Sequence, residues 1–183
     1  MDPVEINAGA WYLRALRADD RVDDRPAVLE SAVDPEIRRW RHRPDPTSAA
    51  VAAYVAERIA GWADETRATW AVCEPTTGEM LGEVALEHLD LPMGTAEVSC
   101  WALERARGRG MTRTAVGSVV RFGFGGLGLA RIGYGWAEPN VASERIARSL
   151  GFVPEGRLRG AWLADDVRSD ILVAGLLADD PQT

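Results

Sequence analysis

Apolar and polar positions along the chain alternate with two periods, and the period switches several times. Trp11 to Arg17 alternates like a half-buried strand and ends at Asp19-Asp20, a pair suited to capping a following helix over Asp20 to Ala32. Thr47 to Trp62 places Val51, Tyr54, Val55, Ile59 and Trp62 at helical spacing. Thr69 to Cys73 and Met80 to His88 read as a hairpin around Glu74-Pro75-Thr76-Thr77-Gly78. If the second of these strands is regular, Val84, Leu86 and His88 share one face while Glu83, Glu87 and Leu89 share the other. A further strand, Ala96 to Leu103, runs into a glycine-containing turn and a helix over Met111 to Phe124. Then follow a strand over Arg131 to Ala137 and a helix over Val141 to Leu150, capped by Asn140 and stopped by Gly151. Strand-like runs near Arg157 to Trp162 and Arg168 to Leu176 complete the order. The pattern predicts one α/β domain over residues 1–183, a mixed sheet flanked by about four helices.

The turn Arg105-Ala106-Arg107-Gly108-Arg109-Gly110-Met111-Thr112 carries the most chemistry. A strand that turns through glycines into a helix leaves several N–H groups unpaired, and the helix dipole adds about half a positive charge there. The spot suits a phosphate, most simply a pyrophosphate, with Arg105, Arg107, Arg109 and Arg113 gathering charge around it. A dinucleotide fingerprint needs a third glycine where Arg113 stands, and a P-loop needs a lysine, of which the chain has none. An ordinary solvated strand-to-helix turn is the plainer alternative for this motif taken alone.

Composition narrows the classes. With 46% apolar and 27% charged residues the chain reads as an ordinary globular domain, and its net charge of −7 lacks the basic face that bulk nucleic-acid binding needs. The start, Met1-Asp2-Pro3-Val4-Glu5, lacks a signal-peptide pattern and no apolar run approaches membrane-spanning length. Two cysteines, Cys73 and Cys100, argue against a disulfide framework and fit a reducing, cytoplasmic setting. The cysteines and His42 and His88 show no metal-ligand spacing, so no metal is expected.

The spacing Arg105-x-x-Gly108-x-Gly110 resembles the acyl-CoA pyrophosphate loop of the GCN5-related N-acetyltransferase (GNAT) superfamily. Ala137-Glu138-Pro139-Asn140-Val141-Ala142-Ser143, followed by Leu150-Gly151-Phe152, resembles its second signature. The pattern is most similar to the RimJ/RimL branch of ribosomal-protein N-terminal acetyltransferases, and the resemblance spans nearly the whole chain. It implies a mostly antiparallel sheet of six to seven strands and direct transfer of an acetyl group from acetyl-CoA to a primary amine. The acceptor is a protein N-terminus or a small molecule, and the acyl group stays open.

For individual residues the resemblance implies the following. The N–H groups of Gly108, Arg109, Gly110, Met111 and Thr112, with Arg105, hold the pyrophosphate. Trp101, Ala102 and Leu103, at a splayed strand end beginning near Cys100, meet the pantetheine arm and thioester. Asn140 contacts CoA, and Ser143 donates toward the leaving sulfur, because the tyrosine that many members carry later in this helix is absent from Ile146 to Phe152. Glu97 is the candidate general base, with Glu83, Glu87, His88 and Asp170 as rivals. Trp40 and His42, between the first two helices, are candidate substrate contacts. Each has a bland reading as well: Asn140 as a helix cap, Ser143 as a first-turn residue, the carboxylates as solvated strand positions. Homodimerisation is compatible with the family, and a non-catalytic acyl-CoA sensor is the alternative function.

Overall fold

The computed structural model describes residues 1–181, built on an eight-stranded sheet with the strand order β1-β2-β3-β4-β5-β6-β8-β7. The strands are β1 (Ile6–Asn7), β2 (Tyr12–Ala15), β3 (Ala68–Cys73), β4 (Met80–Asp90), β5 (Thr95–Ala102), β6 (Arg131–Ala137), β7 (Val153–Ala164) and β8 (Val167–Leu177). The helices are α1 (Arg25–Val33), α2 (Pro35–Trp40), α3 (Ser48–Ala63), α4 (Met111–Gly125) and α5 (Val141–Ser149). All neighbouring strands are antiparallel except β5 and β6. The sheet exceeds the expected six to seven strands by the two-residue β1, too short to leave a periodic signal, and a fifth helix joins the expected four.

That fifth helix, α2, occupies what the sequence suggested was a connection. Asp34 caps it, accepting from the N–H groups of Glu36 and Ile37, and Pro35 supplies a preset first turn. The first helix also starts later than Asp20. Asp19 folds back on the N–H groups of Arg21 and Val22, closing a turn instead of capping a helix. α1 begins beyond Asp24, whose side chain makes no cap bond because Arg14 and the Arg17 N–H occupy its oxygens.

Two apolar layers fill the faces of the sheet. α4 and α5 cover one, where Val84, Leu86, Val98, Ile132 and Tyr134 meet Val116, Val119 and Ala147. α1 and α3 cover the other, where Ala71, Cys73, Trp101 and Leu103 meet Val28, Val51 and Val55. The end of β4 departs from regular alternation. Its register with β5 shifts between Glu87 and Asp90, and His88 adopts a φ of 50°. Leu89 is thereby turned into the layer holding Val84 and Leu86, not onto the face of Glu83 and Glu87, and His88 is left exposed. No helix among the described residues is long and apolar enough to cross a membrane.

Candidate active site

β5 and β6 pair in parallel from Thr95↔Arg131 to Val98↔Tyr134 and then part. β5 stays with β4 as far as Ala102↔Gly82, while β6 stays with β8 as far as Ala137↔Ile171. Each strand is held by its outer neighbour, so the wedge between them is built into the sheet. The Leu103 N–H bonds to the Leu81 carbonyl. By the alternation of an antiparallel ladder, Trp101 and Leu103 direct their backbone groups toward β4, whereas Cys100 and Ala102 direct theirs into the wedge. The side chains of Trp101 and Leu103 are buried against the α1 and α3 layer. Of the segment expected to meet a pantetheine arm, Cys100 and Ala102 are therefore the residues with groups turned that way. The Ala102 carbonyl already accepts from Arg107 Nε at 3.1 Å.

Beyond the wedge the chain makes a short 3-10 turn at Glu104–Ala106 and enters α4 through Gly110. Gly108 and Gly110 have φ values of 73° and 74°, and a Cβ on either would meet no protein atom within 4 Å. Glycine is needed here for the left-handed backbone, and the space beside it is open. Among the described residues, the N–H groups from Gly108 through Arg113 find no acceptor in the protein; the first bond of the helix is Thr114 N–H to the Gly110 carbonyl. The first turn of α4 carries no acidic residue. Consecutive free donors at a helix start with open space in front form an anion-binding nest.

The arginines of this loop do not gather over the nest as expected. Arg105 is committed to Glu79 and Glu30, and Arg107 to Asp34 as well as Ala102. Arg109 lies 4.8 Å over the Trp11 ring, and Arg113 donates to the Ser149 side chain and carbonyl at 2.9 and 3.1 Å. Two of the four cations are neutralised by carboxylates of the α1–α2 region or the hairpin turn. The anion-binding capacity rests on backbone donors and the helix dipole.

The wedge opens into a cavity of about 880 Å³ that reaches both faces of the sheet. Asn140 and Ser143 line it from the start of α5, Glu97 from β5, and Trp40 and His42 from the end of α2. Asn140 Oδ1 accepts from the Ser143 N–H at 3.1 Å and so performs its capping role. Glu97 stands on the rim, with its side chain 64% exposed and one oxygen 3.6 Å from His88 Nδ1. Trp40 donates its indole N–H to Glu36 at 2.7 Å. His42 packs at 5.0 Å on the Trp162 ring of β7, whose indole N–H reaches the Arg39 carbonyl at 2.9 Å. The β7–β8 hairpin thus leans across the cavity onto α2, a contact between residues 123 positions apart that no local pattern could announce.

The other carboxylates have different employment. Glu83 is buried, accepting from the Tyr54 hydroxyl at 2.9 and 3.0 Å. Glu87 is pinned by Arg41 and Arg67; burial alone would raise its carboxyl, but the two guanidiniums hold it below the ordinary range. Asp170 lies outside the cavity lining, bound to Arg157 and the Gly160 N–H in the β7–β8 hairpin.

Tyr134 belongs to no motif in the sequence, yet it lies at the centre of the site. It sits at the last β5–β6 pair, its hydroxyl 3.6 Å from Cys100 Sγ, and lines the cavity beside Ser143. Burial pushes its phenol well above the ordinary value and Cys100 adds to this, while the Ser143 hydroxyl opposes it. The phenol is therefore a neutral donor. Burial likewise raises the Cys100 thiol, which stays protonated and un-nucleophilic. The available signal was the alternation Ile132, Tyr134, Trp136, which places a tyrosine on the inward side of β6 just before the asparagine motif.

An open sheet whose one parallel pair splays at a glycine-capped helix is the architecture of a coenzyme A-dependent acyltransferase. Residues 12–153 match the acetyltransferase (GNAT) domain family, and the chain belongs to that family of acetyltransferases. It is 27% identical over 137 residues to YoaA, an uncharacterized N-acetyltransferase of Bacillus subtilis, covering 74% of this chain and 77% of that one. The fold is similar to that of the ribosomal-protein-S5-alanine acetyltransferase from Vibrio fischeri, with a TM-score of 0.82 at 16% identity, covering 97% of this chain and 98% of that one. It is also similar to Mycobacterium smegmatis RimJ in complex with CoA-disulfide, with a TM-score of 0.81 at 18% identity, covering 98% and 87%.

Proposed function

We propose that the protein transfers an acetyl group from acetyl-CoA to a primary amine, within a RimJ/RimL-like branch of the family. The observation that carries this is three features that follow one another along the chain from β5: the β5–β6 wedge with the cavity it opens into, and, after β5 ends, the run of free N–H groups from Gly108 to Arg113. The pyrophosphate lies on the N–H groups, with Gly108, Arg109, Gly110, Met111 and Thr112 as donors. The pantetheine arm runs along the inner edge of β5, where the backbone groups of Cys100 and Ala102 orient it. The thioester then rests near Tyr134, Asn140 and Ser143, and an amine entering the cavity attacks its carbonyl carbon.

In this reading the attacking amine must lose a proton and the departing thiolate must be stabilised or protonated. Glu97 on the rim accepts the amine proton through water. The Ser143 hydroxyl and the neutral Tyr134 phenol converge on the leaving sulfur and either can donate to it. Holding amine and thioester in one cavity supplies a large further part of the acceleration. Trp40, His42 and Trp162 form the wall past which the acceptor enters.

The test follows free CoA release from acetyl-CoA, using amino acids, small amines and short N-terminal peptides as acceptors. Release that depends on one acceptor class establishes the transferase and its substrate. Tight acetyl-CoA binding with no release by any amine, over a broad panel, would replace this reading with that of a sensor.

A further inference from the structure

The apolar layer under α1 and α3 covers only one half of its sheet face. It takes Ala71 and Cys73 from β3, Met80 from β4 and Trp101 from β5, and among the described residues none from β6, β7 or β8. β6 sends Ile132, Tyr134 and Trp136 to the α4 and α5 layer, so Gly133 and Gly135 lie on the other face. β8 sends Leu172, Ala174 and Leu176 the same way, which leaves Ile171 and Val173 beside those glycines. Val173 stands opposite Gly135, and Leu158 of β7 opposite Ile171. All five residues line the cavity; Leu158 is half exposed, and Ile171 and Val173 are partly so. Gly135 follows Tyr134, the last residue of β6 paired with β5, so this apolar floor begins at the mouth of the wedge.

Glycine weakens a strand interior, and its presence there marks a bulge or a place where something approaches the backbone closely. Gly175 of β8 has a reason inside the protein: a Cβ there would come within 2.1 Å of Arg131 Nη1, which crosses the strand to Glu155. Gly135 has none. Its φ is not left-handed, and a Cβ would meet Ile171 Cγ2 at 3.7 Å and the Leu172 carbonyl at 3.9 Å, ordinary contacts. Gly133 likewise would meet only the exposed Glu97 side chain, at 3.4 Å, and the Ala96 carbonyl.

The charges of the cavity leave this floor to apolar recognition. Each arginine of the lining has a carboxylate partner: Arg41 and Arg67 on Glu87, Arg58 on Glu57, and Arg131 on Glu155. Among the described residues Glu97 alone of the lining carboxylates pairs with no arginine, and it stands beside Gly133, where the proposed amine arrives.

We infer that the acceptor carries an uncharged, apolar side group next to its amine, and that this group lies on Gly135, Ile171 and Val173 with Leu158 at the far edge. This rests on the transferase reading above and names its substrate class. An amino-terminal residue with an apolar side chain and a simple apolar amine share this chemistry, so the experiment separates them.

The protein is first loaded with CoA, and neutral acetylated products are titrated against it by calorimetry. N-acetylleucinamide is compared with N-acetylglycinamide, with the similarly sized but polar N-acetylglutaminamide, and with N-isopentylacetamide, which keeps the side group and lacks the backbone amide. Burial of an apolar side chain predicts that N-acetylleucinamide binds roughly 10- to 100-fold tighter than N-acetylglycinamide, with the glutamine compound no better than glycine. Gly135→Val fills the floor without a clash, and Leu158→Ser removes its far edge; in each the ratio of leucine to glycine affinity falls at least about fivefold. Binding of N-isopentylacetamide equal to that of N-acetylleucinamide assigns a simple amine, and much weaker binding assigns an amino-terminal residue. Equal affinities for the leucine, glycine and glutamine compounds, a preference for glutamine, or no binding of any to a protein that binds CoA normally overturns the inference and leaves the transferase reading intact. A leucine preference that survives both substitutions also overturns it. Failure to bind CoA at all removes both.

Discussion

The Tyr134 hydroxyl and Cys100 Sγ lie 3.6 Å apart across the point where β5 and β6 separate. This buried polar contact sits where the β5–β6 pairing ends, and in the proposed reading it sets a neutral phenol beside the thioester sulfur. Burial keeps that phenol protonated. In the proposed mechanism it gives up a proton to the departing thiolate; the hydroxyl-bearing residues of α5 are Ser143 and Ser149.

Tyr134→Phe tests this directly. General-acid groups contribute roughly 100-fold or more to such reactions, although Ser143 beside it can share the work. The expected result is a fall in kcat of about tenfold to a hundredfold with acetyl-CoA affinity changed less than about twofold. Ser143→Ala gives a smaller fall of the same kind, and the double variant exceeds either. If both single variants turn over at the parent rate, Tyr134 and Ser143 are packing and capping residues only.

Glu87 makes a prediction about acid stability. Its folded-state carboxyl lies below the ordinary range, because Arg41 and Arg67 outweigh the effect of burial. A carboxyl depressed on folding contributes stability that is complete above its unfolded value of about 4.3 and is lost as pH falls through the lower folded value. Glu87→Gln should lower Tm at neutral pH and flatten the decline of Tm with acid below about pH 4. Parallel Tm–pH curves for the two proteins would show that the ion pairs contribute nothing to the linkage.

Arg14 and Asp24 form a buried two-pronged ion pair at 2.7 and 2.8 Å, with side chains 7% and 2% exposed. Asp24 also accepts from the Arg17 N–H, fixing the chain as it leaves β2 for α1. Asp24→Asn strands the Arg14 charge in the interior and should cost about 3–5 kcal/mol in urea unfolding. A loss under about 1 kcal/mol would mean that water reaches Arg14 in the variant.

The sequence made most of the fold legible because the long elements advertise their periods. α3 buries a stripe at helical spacing, α4 is buried almost all round from Ala115 to Val120, and β6 alternates from Arg131 to Trp136. The short elements were hidden for identifiable reasons. α2 has only six residues, less than two turns, although Asp34-Pro35 was a readable start signal. The bulge at His88 overturned an assignment of faces that assumed a regular strand. At the site, the glycine loop was visible because its positive φ values demand glycine. Trp162, Arg41 and Tyr134 were not, since their meaning depends on contacts across the sheet. The arginines of the loop misled for the same reason: their partners, Glu30, Asp34 and Glu79, lie far away in sequence.

The central claim is that acetyl-CoA is held by backbone donors in front of α4. Calorimetric titration of the parent protein and Gly110→Glu with acetyl-CoA tests it most directly. The parent should bind at micromolar concentrations. The variant places a negative side chain at the free N–H groups and strains a backbone at φ 74°, yet its Cβ meets no protein atom within 4 Å, so it should fold and fail to bind. Undiminished binding by a folded Gly110→Glu, or no binding by the parent, contradicts the account.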